Sequence, residues 1–283
     1  MTIADVVGVE QRGAVAHVTF NRPDALNALD MALASTLDQT LARLAVDETV
    51  GAIVLTGAGR AFMAGGDVRE FAQTLDGPAA ARSTYFSRLI DHAHGAVERV
   101  WRMPKPVIAA INGPVAGFGI GLAAACDFSI AVENAGFSLA YCHLGATPDG
   151  GATLMLPHLC GLKQASALVM LGDRFGAAEA HRLGIVNQVV AADALANTVD
   201  ALSQRLADGP LGTHAATKAL LRGPLTAAFL AQLQAEKDQF TARANGAEFA
   251  EGLRAFLGKR KPDFTSRPDL TSQDSRFILT NES

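Results

Sequence analysis

Asn112-Gly113-Pro114-Val115-Ala116-Gly117-Phe118-Gly119 stands between a strand-like apolar run, Val107 to Ile111, and a small-residue helical stretch at 120–126. A second segment, Phe62-Met63-Ala64-Gly65-Gly66-Asp67, repeats the arrangement: a short buried strand at 51–57 precedes it and a helical stretch follows. Glycines in such turns let backbone N–H groups face outward at a helix N-terminus, unobstructed by side chains. Two of these turns, converged on one carbonyl oxygen, would stabilise the negative charge it gains in a reaction. The strand–turn–helix alternation predicts an α/β layered core with its reactive groups on turns at strand ends.

Outward from these turns the same alternation holds. A strand at 14–20 ends at Asn21-Arg22-Pro23-Asp24, and 28–44 has helical spacing with Leu29, Leu33, Leu37, Leu41 and Leu44 on one stripe. Asp30 and Asn27 are both candidate caps for that helix. A long helical stretch that includes 82–101 is broken by Pro104-Lys105-Pro106, and further strands are predicted at 128–132 and 136–139. From about Ala194 onward the strand signal stops, and helices are expected at 194–206, 212–221, 226–244 and 247–257. The organisation expected is an α/β core over 1–193, a helical region over 194–264 that serves as lid or oligomer contact, and a tail over 265–283.

Bulk properties exclude several classes of function. The 283 residues suit one large domain, and 49% hydrophobic with 18% charged residues is a globular composition. A net charge of −4 gives no electrostatic case for nucleic acid or anionic membrane. Met1-Thr2-Ile3-Ala4-Asp5 has no basic n-region or apolar h-region, and no apolar run approaches bilayer length. Cys126, Cys142 and Cys160 show no ligand spacing, so a cytoplasmic setting with buried thiols and no metal is expected. His92 and His94 are two apart and would fall on different faces of a helix, while Glu98 and Glu133 read as solvated.

The ordered series of motifs resembles the crotonase (enoyl-CoA hydratase/isomerase) superfamily over about residues 5–264. It comprises Asn21-Arg22-Pro23 with Leu26-Asn27-Ala28-Leu29, both glycine turns, Cys126-Asp127, Leu183-Gly184-Ile185-Val186-Asn187, and Glu251 to Arg260. The resemblance implies an α/β spiral of ββα units whose helical C-terminal part forms a homotrimer or a dimer of trimers. It implies acyl-CoA thioester substrates, with CoA as part of the substrate and no separate cofactor. The oxyanion hole maps onto the backbone N–H groups of Gly66 and Phe118. Ala64, with its neighbours Gly65, Asp67 and Val68, and Leu26 map onto the CoA-binding positions, and Phe256 and Lys259 onto C-terminal contacts to CoA of a neighbouring subunit. For Lys259-Arg260-Lys261 two readings stay open: a phosphate contact, or basic residues that favour a helix C-terminus.

Hydratases of the superfamily place two glutamates around the reacting carbons; this sequence has Gly121 and Tyr141 at those positions. A carboxylate follows eight residues later, in Leu144-Gly145-Ala146-Thr147-Pro148-Asp149-Gly150-Gly151. That stretch resembles the Δ3,Δ2-enoyl-CoA isomerases and the ring-opened-oxepin isomerases of phenylacetate catabolism, in which the aspartate moves a proton between the α and γ carbons. Tyr141 is then expected to line the acyl pocket. Pro-Asp-Gly-Gly is also good turn chemistry in its own right. Aryl-CoA dehalogenases carry an aspartate at the Asp149 position too, as nucleophile, and for them His94 would be its partner. The remaining alternatives are hydration with Asp149 as a displaced acid, a hydrolase using Asp149 and His94, and a non-catalytic CoA-binding protein.

Overall fold

A computed structural model describes residues 6–265; the tail expected at 265–283 lies outside these from residue 266. A six-stranded sheet forms the centre of the chain. It holds β1 (Val7–Arg12), β2 (Val15–Phe20), β3 (Ala52–Gly57), β4 (Val107–Ile111), β6 (Phe128–Val132) and β9 (Gln188–Val190), in the order β1-β2-β3-β4-β6-β9. Only β1 and β2 pair antiparallel; the other pairs are parallel, with Ile53 opposite Val107 and Ile108 opposite Phe128. Parallel strands covered on both faces read as unbroken apolar runs, which is why Val107-Ile108-Ala109-Ala110-Ile111 is fully buried. A second, three-stranded sheet of β5 (Val115–Ala116), β7 (Gly136–Ser138) and β8 (Arg174–Gly176) hangs from the connections of the first.

Two helices cover one face: α1 (Met31–Val46) and α3 (Ala79–Arg102), packed on each other. Asp30 is the cap of α1, its carboxylate accepting the Leu33 N–H at 2.7 Å, so the helix starts later than the leucine stripe suggests. Asn27, the other candidate, does a different job. It is fully buried in a left-handed conformation, accepts the Arg22 N–H and donates to the carbonyls of Ala58 and Ala61. Helix α2 (Val68–Gln73) follows β3, α4 (Phe118–Ala125) follows β5, and after β7 come α5 (Ala152–Cys160), α6 (Leu162–Leu171) and α7 (Ala177–Arg182).

The C-terminal part is helical as expected, with one correction. Instead of separate helices at 212–221 and 226–244 there is a single 33-residue helix, α9 (Leu211–Arg243), running through Pro224. It follows α8 (Leu195–Ala207), which packs on the large sheet, and precedes α10 (Ala247–Leu257), which packs on α2. Among the described residues no helix is long and apolar enough to cross a membrane.

Candidate active site

The two glycine turns lie side by side. The Ala116 N–H donates to the Met63 carbonyl at 2.8 Å, and the Phe62 N–H donates to the Pro114 carbonyl at 3.1 Å. Gly65 (φ +84°) and Gly117 (φ +49°) face each other so closely that a Cβ on Gly65 would lie 3.3 Å from the Ala116 carbonyl oxygen. A Cβ on Gly66 would overlap the Phe71 ring. Leu29 N–H donates to Gly65 O and Asp67 N–H to Leu29 O, which fixes Gly66 between them with no backbone acceptor for its own N–H. The Phe118 N–H opens α4 and likewise has no acceptor among the described residues.

These turns border a cavity of about 1190 Å³. Its apolar lining includes Phe71, Leu89, Ile90, Ala93, Phe240 and Phe249, and Leu26, Ala64, Val68 and Arg174 line it too. Gly65, Gly66, Asp67, Phe118, Tyr141, Asp149 and Phe256 also line it, so all the expected site residues except Lys259 meet there. Lys259 sits past the end of α10 in a left-handed conformation, away from the cavity wall. Its neighbour Arg260 forms a two-pronged pair with Glu251. Asp67 faces the cavity rim, but its carboxylate is engaged: it caps α2 through the N–H groups of Arg69 and Glu70 and pairs with Arg22 at 2.9 Å. Leu26 adopts a left-handed backbone (φ 53°), uncommon for a bulky residue, and its carbonyl accepts the Ala64 N–H.

Asp149 is the one buried carboxylate on the cavity wall among the described residues. The Tyr141 hydroxyl donates to its Oδ1 at 2.5 Å. Burial pushes the Asp149 carboxyl up to about 6, and the Tyr141 hydrogen bond pulls the other way. Burial, together with the neighbouring Asp149 charge, holds the Tyr141 phenol well above its ordinary value, so Tyr141 is a permanent donor. Gly121 explains how the Asp149 loop comes so close: a Cβ there would lie 2.8 Å from the Gly150 carbonyl oxygen and 3.2 Å from that of Asp149. The loop occupies the space a side chain at 121 would need.

His94 does not line the cavity. It is buried on α3 behind the loop, where its Nε2 accepts the Gly150 N–H at 3.1 Å. Burial pushes it down to about 4, so the ring stays neutral and keeps an acceptor there. As a partner of Asp149 acting on substrate it is therefore misplaced. His92 of α3 lies 3.5 Å from Asp38 of α1, and Glu98 pairs with Arg102.

The match to known proteins agrees with this geometry. The sequence model of the enoyl-CoA hydratase/isomerase family aligns with residues 10–267. The chain belongs to the enoyl-CoA hydratase/isomerase family. Among its relatives is the 1,2-epoxyphenylacetyl-CoA isomerase of Escherichia coli, 36% identical over 89% of this chain and 95% of that protein. Another is the 2,3-dehydroadipyl-CoA hydratase of Escherichia coli, 36% identical over 93% and 98%. A crystal structure of an enoyl-CoA hydratase from Mycobacterium avium subsp. paratuberculosis superposes with a TM-score of 0.82 at 32% identity, covering 92% of this chain and 98% of that one. The fold is thus that of the crotonase superfamily, whose enzymes act on acyl-CoA.

One buried carboxylate near the site was not singled out in the sequence. Glu236 of α9 is 3% exposed and accepts from the Gly151 N–H at 2.7 Å, the Thr153 N–H at 2.9 Å and the Thr153 hydroxyl at 2.5 Å. Its signal was positional: Phe229, Leu233 and Phe240 define a buried helical stripe, and Glu236 lies on it.

Proposed function

We propose that this chain is an acyl-CoA isomerase that shifts a carbon–carbon double bond next to the thioester. In the forward direction Asp149 Oδ2 takes a proton from the α carbon of a 3-enoyl-CoA. The electron pair delocalises into a dienolate whose charge rests on the thioester oxygen, held by the N–H groups of Gly66 and Phe118. Asp149 then returns the same proton to the γ carbon, giving the 2-enoyl-CoA with no net gain or loss of atoms. Tyr141 orients the carboxylate. The CoA portion would run past Leu26, Ala64 and Val68 to the cavity mouth, with Phe256 at its side. A homotrimer or a dimer of trimers, built on the helical C-terminal region, is part of the same reading.

What carries it is the solitary carboxylate. A proton that leaves one carbon and returns to another needs a single base, and the cavity offers a single buried one, Asp149, with its proton affinity raised toward the working range. A second reading, addition of water with Asp149 as sole acid–base, is favoured by the hydratase among the relatives. Mass spectrometry separates the two: isomerisation leaves the mass of an enoyl-CoA unchanged, whereas hydration adds one water. On a panel of short, long and aromatic 3-enoyl-CoAs, Asp149→Asn is expected to slow double-bond transfer roughly 10²–10⁴-fold while thioester binding persists. An Asn variant as fast as the parent would sink the assignment.

A further inference from the structure

The Asp149 loop is held from behind by two buried side chains that come from distant parts of the chain. Gly150 and Gly151 are both left-handed (φ +69° and +78°), which turns their N–H groups away from the cavity in succession. The first N–H meets His94 Nε2 of α3, and the second meets Glu236 Oε2 of α9. Helix α5 begins at once, yet its cap position is Gly151, which has no side chain to offer. Glu236 supplies the missing cap from another helix, accepting from the Thr153 N–H and hydroxyl through Oε1, with Gln232 donating to the same hydroxyl.

We propose that Glu236, assisted by His94, is a positioning residue for Asp149: it clamps the 150–153 backbone and so fixes where the Asp149 carboxylate stands on the cavity wall. Three donors converge on the two Glu236 oxygens, while burial and, beyond the loop, Asp149 raise the proton affinity of Glu236. The groups facing Glu236 from the packed elements are few. His94 of α3 lies 3.9 Å away and is neutral, and Asp149 and Tyr141 stand beyond the loop. Lys237 is turned outward to Asp91. Burial pushes Glu236 itself up to about 7, against the pull of its Thr153 and Gly151 donors. The helix that carries the clamp is thereby part of the machinery for moving the proton.

The role of Glu236 rests on the reading of Asp149 as the base, so the test measures Asp149 directly as well as through turnover. Carbon-13 NMR of the aspartate carboxyls follows the Asp149 titration in the full-length protein, its resonance assigned by its loss in Asp149→Asn. In Glu236→Gln the Asp149 titration is expected to move to lower pH, because a loosened loop lets water reach the buried carboxyl. Turnover number should fall about tenfold or more, with KM within about threefold, as expected for a misplaced base rather than lost binding. His94→Gln, which retains an acceptor for the Gly150 N–H, should keep most of the activity that His94→Leu loses. An unmoved Asp149 titration in folded Glu236→Gln overturns the proposal, whether or not turnover falls. If Glu236→Gln does not fold, Thr153→Val removes one donor and should shift both readouts in the same direction by less; no shift in either overturns the proposal. Should Asp149→Asn prove active, the isomerase reading fails, yet the titration still decides whether Glu236 acts on Asp149.

Discussion

Asp149 is placed where its charged form is least welcome. Burial raises its proton affinity well beyond that of an exposed aspartate, and only the Tyr141 hydroxyl and local backbone lean against that effect. The folded-state value near 6 exceeds the unfolded value near 4, so the native chain binds this proton more tightly than the unfolded chain does. Ionisation therefore costs the fold free energy above pH 6, and the cost fades as the pH falls through 6 towards 4. A shift of that size corresponds to about 3 kcal/mol at pH 8 as an upper estimate. Asp149→Asn should accordingly be more stable than the parent in urea unfolding at pH 8, and the two should converge near pH 4. Equal stability at both pH values would mean that burial exacts no cost here. The residue itself was singled out by the resemblance of its stretch to the isomerases, since Pro148-Asp149-Gly150-Gly151 by itself reads as an ordinary turn. Its neighbour Tyr141 was legible as a pocket residue, but the hydrogen bond between them was not, since a spacing of eight residues says nothing of a loop folded back on itself.

At the scale of one element, α9 shows why local propensity misled. Proline inside a helix removes a hydrogen bond and crowds the preceding turn, at a cost of about 3 kcal/mol, so a break at Gly223-Pro224 was the sensible expectation. Tertiary contacts on both sides of Pro224 outweigh it. Before it, Lys218 Nζ and the Arg222 guanidinium grip the two oxygens of Asp127, each at 2.7 Å. Arg222 also donates to the carbonyls of Val100, Trp101 and Ala125 and lies 4.6 Å above the Trp101 ring. After it, Phe229 stacks on the same Trp101 indole with ring centroids 4.3 Å apart. No local pattern announces partners more than ninety residues apart. Breaking such a pair from one side leaves buried cations uncompensated, at about 3–5 kcal/mol. Asp127→Ala should therefore lower the unfolding free energy by that amount in urea titration, and a loss below about 1 kcal/mol would show that α9 is held by its aromatic contacts alone.

For the whole molecule, legibility followed burial. Strands with apolar residues on both faces, Val107–Ile111 and Phe128–Val132, were read to the residue. The edge strand Val7–Arg12 escaped, because four of its six residues are exposed and carry no apolar period. The same rule points to what the isolated chain leaves unfinished. Leu162, Met170 and Leu171 of α6 are 69%, 74% and 59% exposed, and Leu220 and Leu221 of α9 are 77% and 74% exposed. Single exposed leucines are ordinary, whereas clusters on two helices outside the cavity are the kind of surface that association covers. The proposed homotrimer or dimer of trimers gives them a destination. Light scattering coupled to size exclusion should return a mass three or six times that of one chain, and Leu162→Asp combined with Met170→Asp should shift it toward smaller species. A monomeric parent at micromolar concentration would rule the assembly out. An assembly indifferent to both substitutions would place its contacts elsewhere, on the α9 leucines or the α10 end near Phe256. Because Phe256 borders the cavity while remaining 59% exposed, turnover measured across a dilution series would then show whether a neighbouring subunit completes the mouth.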